Sequence, residues 1–145
     1  MKKMPDEKLI KKWLDLIEAD MVAANDLYQA AKARNATSWY SWLLVIWHCN
    51  QAVEKCLKTI IISQGKEILR IHDLVRLLDE TQLTDLLPQW KEKLYQLNNF
   101  YFSPRYPDVP LKISYPKSSQ QLSQDFLKFA KEFHLWTRQQ ISQKK

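Results

Sequence analysis

Residues 35–53 read NATSWYSWLLVIWHCNQAV and carry no formal charge, although 26% of the chain is charged. A charge-free run of this length predicts the most deeply buried element of the fold. It does not predict a membrane span, because Thr37, His48 and Gln51 are too polar for the roughly 20 apolar residues that a bilayer requires. We interpret it as the central helix of a soluble bundle, whose polar side chains need partners.

The composition favours one all-α domain. A chain of 145 residues is long enough for a core of its own, and the content of 46% apolar and 12% aromatic residues is not that of a disordered chain. Only one glycine is present, whereas β-rich folds need many glycines in their turns. We therefore expect a single all-α domain over residues 1–145.

The net charge of +6 permits an anionic partner such as RNA or a nucleotide. The simpler explanation is solubility, because much of the excess lies in lysines near the two ends. These are Lys2, Lys3, Lys8, Lys11, Lys12, Lys144 and Lys145.

The cysteines and the start of the chain bear on the compartment. Cys49 and Cys56 lie on one predicted helix with Cα atoms ~10 Å apart, which is too far for a disulfide. No other cysteine is present, so a zinc site is poorly supported. The first residues lack an apolar core of signal-peptide length. We expect a cytoplasmic protein with no metal and no cofactor.

Apolar residues at three- and four-residue spacing predict five helices. The first runs from about Pro5 to Ala33, and the second from a cap at Thr37 or Ser38 to about Gln64, with Gly65 as its stop. The third is short, from about Leu74 to Glu80, and the fourth begins between Thr84 and Pro88. Four prolines make residues 102–117 an irregular loop, and Ser118 with Gln121 forms a capping box that opens the last helix.

The second helix carries a polar stripe. His48, Gln51, Lys55 and Lys58 fall on one side at 100° per residue, and Glu54 lies on the flank. One account is an outer face that becomes solvated after Gln51, with a Glu54–Lys58 pair worth a few tenths of a kcal/mol. The other is a groove or dimer face on which Gln51, Glu54 and Lys55 hold a partner. The helical wheel alone favours the first account.

Two further segments place polar side chains at helix and loop boundaries. His72 or Asp73 is suited to cap the third helix, and a histidine in that position is usually structural. Arg105, Tyr106 and Asp108 lie on a segment stiffened by prolines, so presenting them loses little entropy. Arg105 is able to fork onto a carboxylate or a phosphate, or to pin the loop by pairing with Glu54 or Asp108.

Three motifs together resemble the signatures of the HEPN domain (higher eukaryotes and prokaryotes nucleotide-binding). They are QAVEKCLK at 51–58, HDLVRLL at 72–78 and RYPD at 105–108. The segment WLDLIEADMVAA at 13–24 is also similar to the family's first helix. The resemblance implies an up-and-down bundle of about five helices and a homodimer that meets along the central helices. It further implies a link to a minimal nucleotidyltransferase, in pairs that resemble toxin–antitoxin or nucleotide-handling systems.

The ribonuclease motif of that family is not matched. Members that cut RNA carry an arginine followed, after four to six residues, by a histidine, but the first histidine after Arg105 is His134. We therefore lean against an enzyme. Our first hypothesis is a dimeric module that binds a nucleotide, RNA or a protein partner. Its site residues would be Gln51, Glu54, Lys55, Lys58, His72, Arg105, Tyr106 and Asp108.

Two alternatives stay open. The chain could be a metal-independent ribonuclease toxin with a rearranged site built from Arg105, His72 and Glu54. It could also be a structural subunit in which the same polar motifs are internal braces. The two differ in whether purified protein cuts RNA in the presence of a chelator.

Overall fold

The structure, a computed structural model, describes residues 4–83, 86, 88–100, 108 and 118–143. Five helices and no strand are present in these residues, which confirms the all-α helical bundle. The helices are α1 (Glu7–Ala33), α2 (Trp39–Ser63), α3 (Leu74–Thr81), α4 (Pro88–Asn98) and α5 (Ser119–Ser142).

Side-chain caps explain where three of the helices begin. Asp6 accepts hydrogen bonds from the first free backbone N–H groups of α1, so α1 begins after Asp6 rather than at Pro5. Asp73 caps α3 in the same way, which decides between the two predicted capping residues. Ser118 accepts from the backbone N–H of Gln121 at 3.2 Å. The capping box is only half made, because the Gln121 amide donates to Asp125 instead.

The two ends of α2 differ in how they are closed. Ser38 occupies the N-cap position but makes no side-chain cap hydrogen bond. At the other end Gly65 has φ of 76°, a left-handed conformation that only glycine adopts without a steric penalty. Gly65 therefore ends α2, as predicted, because the backbone is left-handed at this position.

Helix α2 is the centre of the bundle, but its most buried part is not the charge-free run: eight of the nineteen residues 35–53 are buried, against nine of the ten residues 54–63. It packs against α1 and α5, and it also contacts α3 and α4. Cys49, Val53, Cys56 and Leu57 are fully buried along it. Burial raises the pKa of both cysteine thiols to about 12, so they behave as small apolar side chains.

Helices α1 and α2 run antiparallel, which determines the orientation of the faces of α2. Tyr28 stacks edge-on against Trp42 with ring centroids 5.8 Å apart, and Asp20 bonds to residues further along α2. One flank of α2 therefore faces α1. The opposite flank faces the segment that leads into α3, and an outer face lies between them. No helix in the described parts of the chain combines the length and apolar character needed to cross a bilayer.

Candidate binding face of the central helix

Asp20 on α1 joins two side chains of α2. Its Oδ1 lies 3.3 Å from Nδ1 of His48, and its Oδ2 accepts a hydrogen bond from the ammonium of Lys55. Because a carboxylate only accepts, Nδ1 of His48 carries the proton in this contact. His48 and Lys55 are two turns apart, so one carboxylate fixes both along the α1 side of the helix.

Glu54 forms the matching unit on the opposite flank. Its Oε2 accepts from the ammonium of Lys58 at 3.1 Å, and its Oε1 lies 3.0 Å from Nδ1 of His72. The Glu54 and Lys58 side chains are 6% and 8% exposed, whereas His72 is 51% exposed. Glu54 and Lys58 are therefore a buried brace, and His72 stands at the surface on top of it.

The two units together define a polar seam along α2. It consists of Asp20, His48, Gln51, Glu54, Lys55, Lys58 and His72. In each unit one carboxylate oxygen holds a lysine and the other holds a histidine. Each carboxylate of the seam thus accepts from two partners, and Lys55 keeps ammonium hydrogens that Asp20 does not use.

Gln51 lies between the two units. Its side-chain nitrogen is buried and has no hydrogen-bond partner among the described residues. An amide donor without a partner is unfavourable by roughly 1–3 kcal/mol. Gln51 is therefore the seam residue with the most to gain from an added acceptor.

The electrostatics of the seam stabilise Asp20 as an anion. Burial by itself would raise the pKa of Asp20, but hydrogen bonds from His48 and Lys55 outweigh burial. The resulting pKa lies below the ordinary value of 3.8. Asp20 therefore stays ionised throughout the neutral range and keeps its two partners in place.

An apolar stripe continues the outer face of α2 towards its N-terminus. Tyr40 and Leu44 are exposed at i and i+4. Trp47 follows at i+7 and packs edge-on against His48 with ring centroids 5.0 Å apart. The stripe therefore joins the polar seam directly at His48.

The structure assembles five of the eight predicted site residues. Gln51, Glu54, Lys55, Lys58 and His72 lie together in the seam.

The other three lie in or beside the proline-rich loop. Arg105 and Tyr106 are outside the described residues, so their predicted place beside α2 stays a prediction. Asp108 is described as an exposed turn residue.

One expectation about this face is wrong. The face does not become solvated after Gln51, because Glu54 and Lys58 are both buried. The predicted Glu54–Lys58 pair is present, but in a buried setting where removing one partner has a much larger effect than at a surface.

Sequence reasoning missed Asp20. It lies within the segment at 13–24 that resembles the family's first helix, yet nothing in its spacing links it to Lys55, which is 35 residues away. In the described part of the chain, no three His, Cys, Asp or Glu side chains are grouped so as to hold a metal ion.

Comparisons with known proteins place the chain in a family. A family model described as the HEPN domain matches residues 17–140. Among solved structures, TT1696 from Thermus thermophilus is similar at a TM-score of 0.70 and 18% identity, over 90% of this chain and 97% of that one. ST0689, an archaeal HEPN homologue, is similar at a TM-score of 0.64 and 23% identity, over 91% and 97%. No curated protein matches the sequence. At these identities the two structures support the fold alone.

Proposed function

The chain belongs to the HEPN domain family, and from that premise we propose that it works as a homodimeric binding module. Its polar seam would hold an anionic ligand rich in hydrogen-bond acceptors. The ligand is a nucleotide or an RNA phosphate, or the acidic surface of a nucleotidyltransferase partner. The observation that carries the proposal is that Asp20 holds the ammonium of Lys55, whose side chain is 22% exposed, and leaves two of its hydrogens for a ligand.

The donors that a ligand would reach are few. Lys55 keeps two of its three ammonium hydrogens, and its side chain is 22% exposed. His72 stands at the surface above Glu54 with the Nδ1 proton of its ring directed at that carboxylate, and the unpartnered amide nitrogen of Gln51 is buried. Phosphate oxygens accept charge-assisted hydrogen bonds from lysine, which are stronger than hydrogen bonds between neutral groups. Lys58 is too deeply buried to contact a ligand and acts through Glu54.

The apolar stripe supports the homodimer. Tyr40 and Leu44 expose apolar surface next to the seam, and a two-fold axis through this face would bury the stripe of one copy against that of the other. The two seams would then lie on either side of the same axis. Measuring mass by light scattering tests this, because Leu44→Lys should convert the dimer to a monomer.

The biological setting follows from the family resemblance. A minimal nucleotidyltransferase encoded alongside, in a pair of the toxin–antitoxin or nucleotide-handling type, would supply the acidic surface or the nucleotide. The net charge of +6 fits an anionic partner. Two free, buried cysteines fit a reducing compartment such as the cytoplasm.

Calorimetric titration with nucleotides and short RNA tests the binding module. We expect heat of binding with wild type and binding that is roughly ten- to a hundredfold weaker with Lys55→Gln, since a charged hydrogen bond is worth roughly 1.5–3 kcal/mol. Lys11→Gln is the matched control, because Lys11 forms the same kind of lysine–aspartate pair on an exposed face. An absence of heat with every nucleotide, with RNA and with a nucleotidyltransferase would overturn the proposal.

A second candidate is favoured by the geometry of His72. Its Nδ1 is held by a buried carboxylate while the ring is half exposed, and this arrangement also orients a general base. A ribonuclease would then use His72, Glu54 and Arg105.

Incubation with RNA in a chelator distinguishes this enzyme from the binding module. Cutting that disappears in both His72→Ala and Arg105→Ala, and persists in His48→Ala, would support the enzyme. Intact RNA with wild type supports the binding module.

A further inference from the structure

A concave surface lies away from the polar seam, between the first turns of α1 and the last turn of α5. It is a groove of about 660 Å³, which is within the range that small molecules occupy. Apolar side chains of Ile10, Leu14 and Ile141 line it, and Arg138 lies at its edge. A surface with this mixture of groups suits an amphipathic ligand.

The guanidinium of Arg138 is held in position by a buried histidine. Nε of Arg138 donates to Nε2 of His134 at 3.0 Å, and His134 is buried on the inner side of α5. Burial, together with the nearby Arg138 charge, lowers the pKa of His134. His134 is therefore neutral near pH 7 and is able to accept this hydrogen bond.

The other guanidinium hydrogens of Arg138 remain available. The nearest described carboxylate oxygen belongs to Glu18 and lies 3.9 Å from Nη2, which is beyond hydrogen-bond distance. Arg138 is thus oriented by one bond and presents its terminal N–H groups as a planar fork. A carboxylate matches that fork with two parallel hydrogen bonds.

We propose that this groove binds a small-molecule monocarboxylate with an apolar chain. The carboxylate lies on Arg138, and the chain covers Ile10, Leu14 and Ile141. A single negative charge is favoured because the groove is lined by three cationic side chains, Lys8, Lys11 and Arg138, and by two carboxylates, Glu7 and Asp15, which leaves a net charge of +1. Lys11 and Asp15 offset each other as an ion pair.

Titration of the full chain with octanoate tests the proposal. We expect octanoate to bind, and three related compounds to bind at least about tenfold more weakly. Octanol lacks the charge, acetate lacks the apolar chain, and octyl phosphate carries more than a single negative charge. Arg138→Gln should weaken octanoate about tenfold. Arg76→Gln, which changes an exposed arginine of α3, should leave it unchanged.

Two further variants separate binding from folding. His134→Leu removes the acceptor that orients Arg138 and should weaken octanoate, whereas His134→Gln supplies a carbonyl oxygen and should restore it. Ile141→Ser removes part of the apolar wall and should also weaken octanoate. Lys55→Gln should have no effect, so failure at this groove is distinct from failure at the seam. Octanoate that does not bind, or that binds equally to wild type and Arg138→Gln, overturns the proposal.

Discussion

Replacing Glu54 by alanine should destabilise the fold far more than removing an ordinary surface carboxylate. The side chain of Glu54 is 6% exposed, and its Oε2 is 3.1 Å from the buried ammonium of Lys58. Without Glu54 the ammonium of Lys58 has no ion-pair partner among the described residues. Breaking a buried pair by removing one partner destabilises by ~3–5 kcal/mol. For 145 residues the unfolding entropy is roughly 0.3 kcal/mol/K, so Tm should fall by ~10–16 °C.

Thermal and urea unfolding followed by far-UV circular dichroism measure this effect. The control is Asp15→Ala, which removes the carboxylate of the Lys11–Asp15 pair. That pair has the same i,i+4 spacing and a similar distance of 3.2 Å, but its side chains are 76% and 68% exposed. We expect Asp15→Ala to lower the free energy of unfolding by less than about 0.5 kcal/mol.

A double-mutant cycle isolates the pair itself. Lys58→Met removes the buried charge, so Glu54→Ala should have a smaller effect in the Lys58→Met background than in wild type. The reasoning would be refuted if Glu54→Ala and Asp15→Ala destabilised the protein equally. It would also be refuted if the effects of Glu54→Ala and Lys58→Met on the free energy of unfolding were additive.

The pKa of Asp20 is lower folded than unfolded, so Asp20 stabilises the fold above about pH 4, and this stabilisation is lost as the pH falls through the folded pKa. Asp20→Asn should therefore lower the free energy of unfolding by roughly 1.5–3 kcal/mol at neutral pH and make that free energy depend less on pH in the acid range. Urea unfolding across pH measures this, and the same pH dependence as in wild type would contradict it. Asn50 is buried and donates to the Leu97 carbonyl at 2.9 Å, so Asn50→Leu should destabilise by about 1–3 kcal/mol and speed amide hydrogen exchange in α4 more than in α5. Burial raises the pKa of Cys49 and Cys56 to about 12, so a thiol reagent should label them at neutral pH only after unfolding in urea, and rapid labelling of the native protein would contradict their burial.

Much of the fold could be predicted because its signals are local. A helix must cap its first N–H groups, so Asp73 before an apolar run predicts the start of α3. The one glycine marks the end of α2 because a left-handed residue is needed there. The charge-free run of 35–53 identifies the central helix but not its most buried part, which is 54–63, because Glu54 and Lys58 are buried there as a pair.

The partners within the site could not be predicted in the same way. A helical wheel gives the direction of Glu54 and Lys58 around α2, but not what packs outside that helix. The segment before α3 brings His72 to Glu54, and α1 brings Asp20 to Lys55. Both are contacts between residues far apart in sequence, and no spacing encodes them.

The His134–Arg138 pair was overlooked for a different reason. The motif sought for a ribonuclease has arginine before histidine, whereas this pair has histidine first and a separation of four residues on one helix. At that spacing the two side chains are neighbours, so the contact itself follows from the sequence. Its position at the end of a groove follows only from the packing of α1 on α5.

The salt dependence of binding to a short single-stranded RNA tests the role of the seam most directly. Each phosphate neutralised by a lysine contributes about 0.7 to the slope of log affinity against log salt for single strands. Fluorescence anisotropy should therefore show the slope falling by about 0.7 in Lys55→Gln and staying unchanged in Lys11→Gln. Equal slopes for wild type and Lys55→Gln, or no binding of RNA at low salt, would contradict the seam as the RNA site.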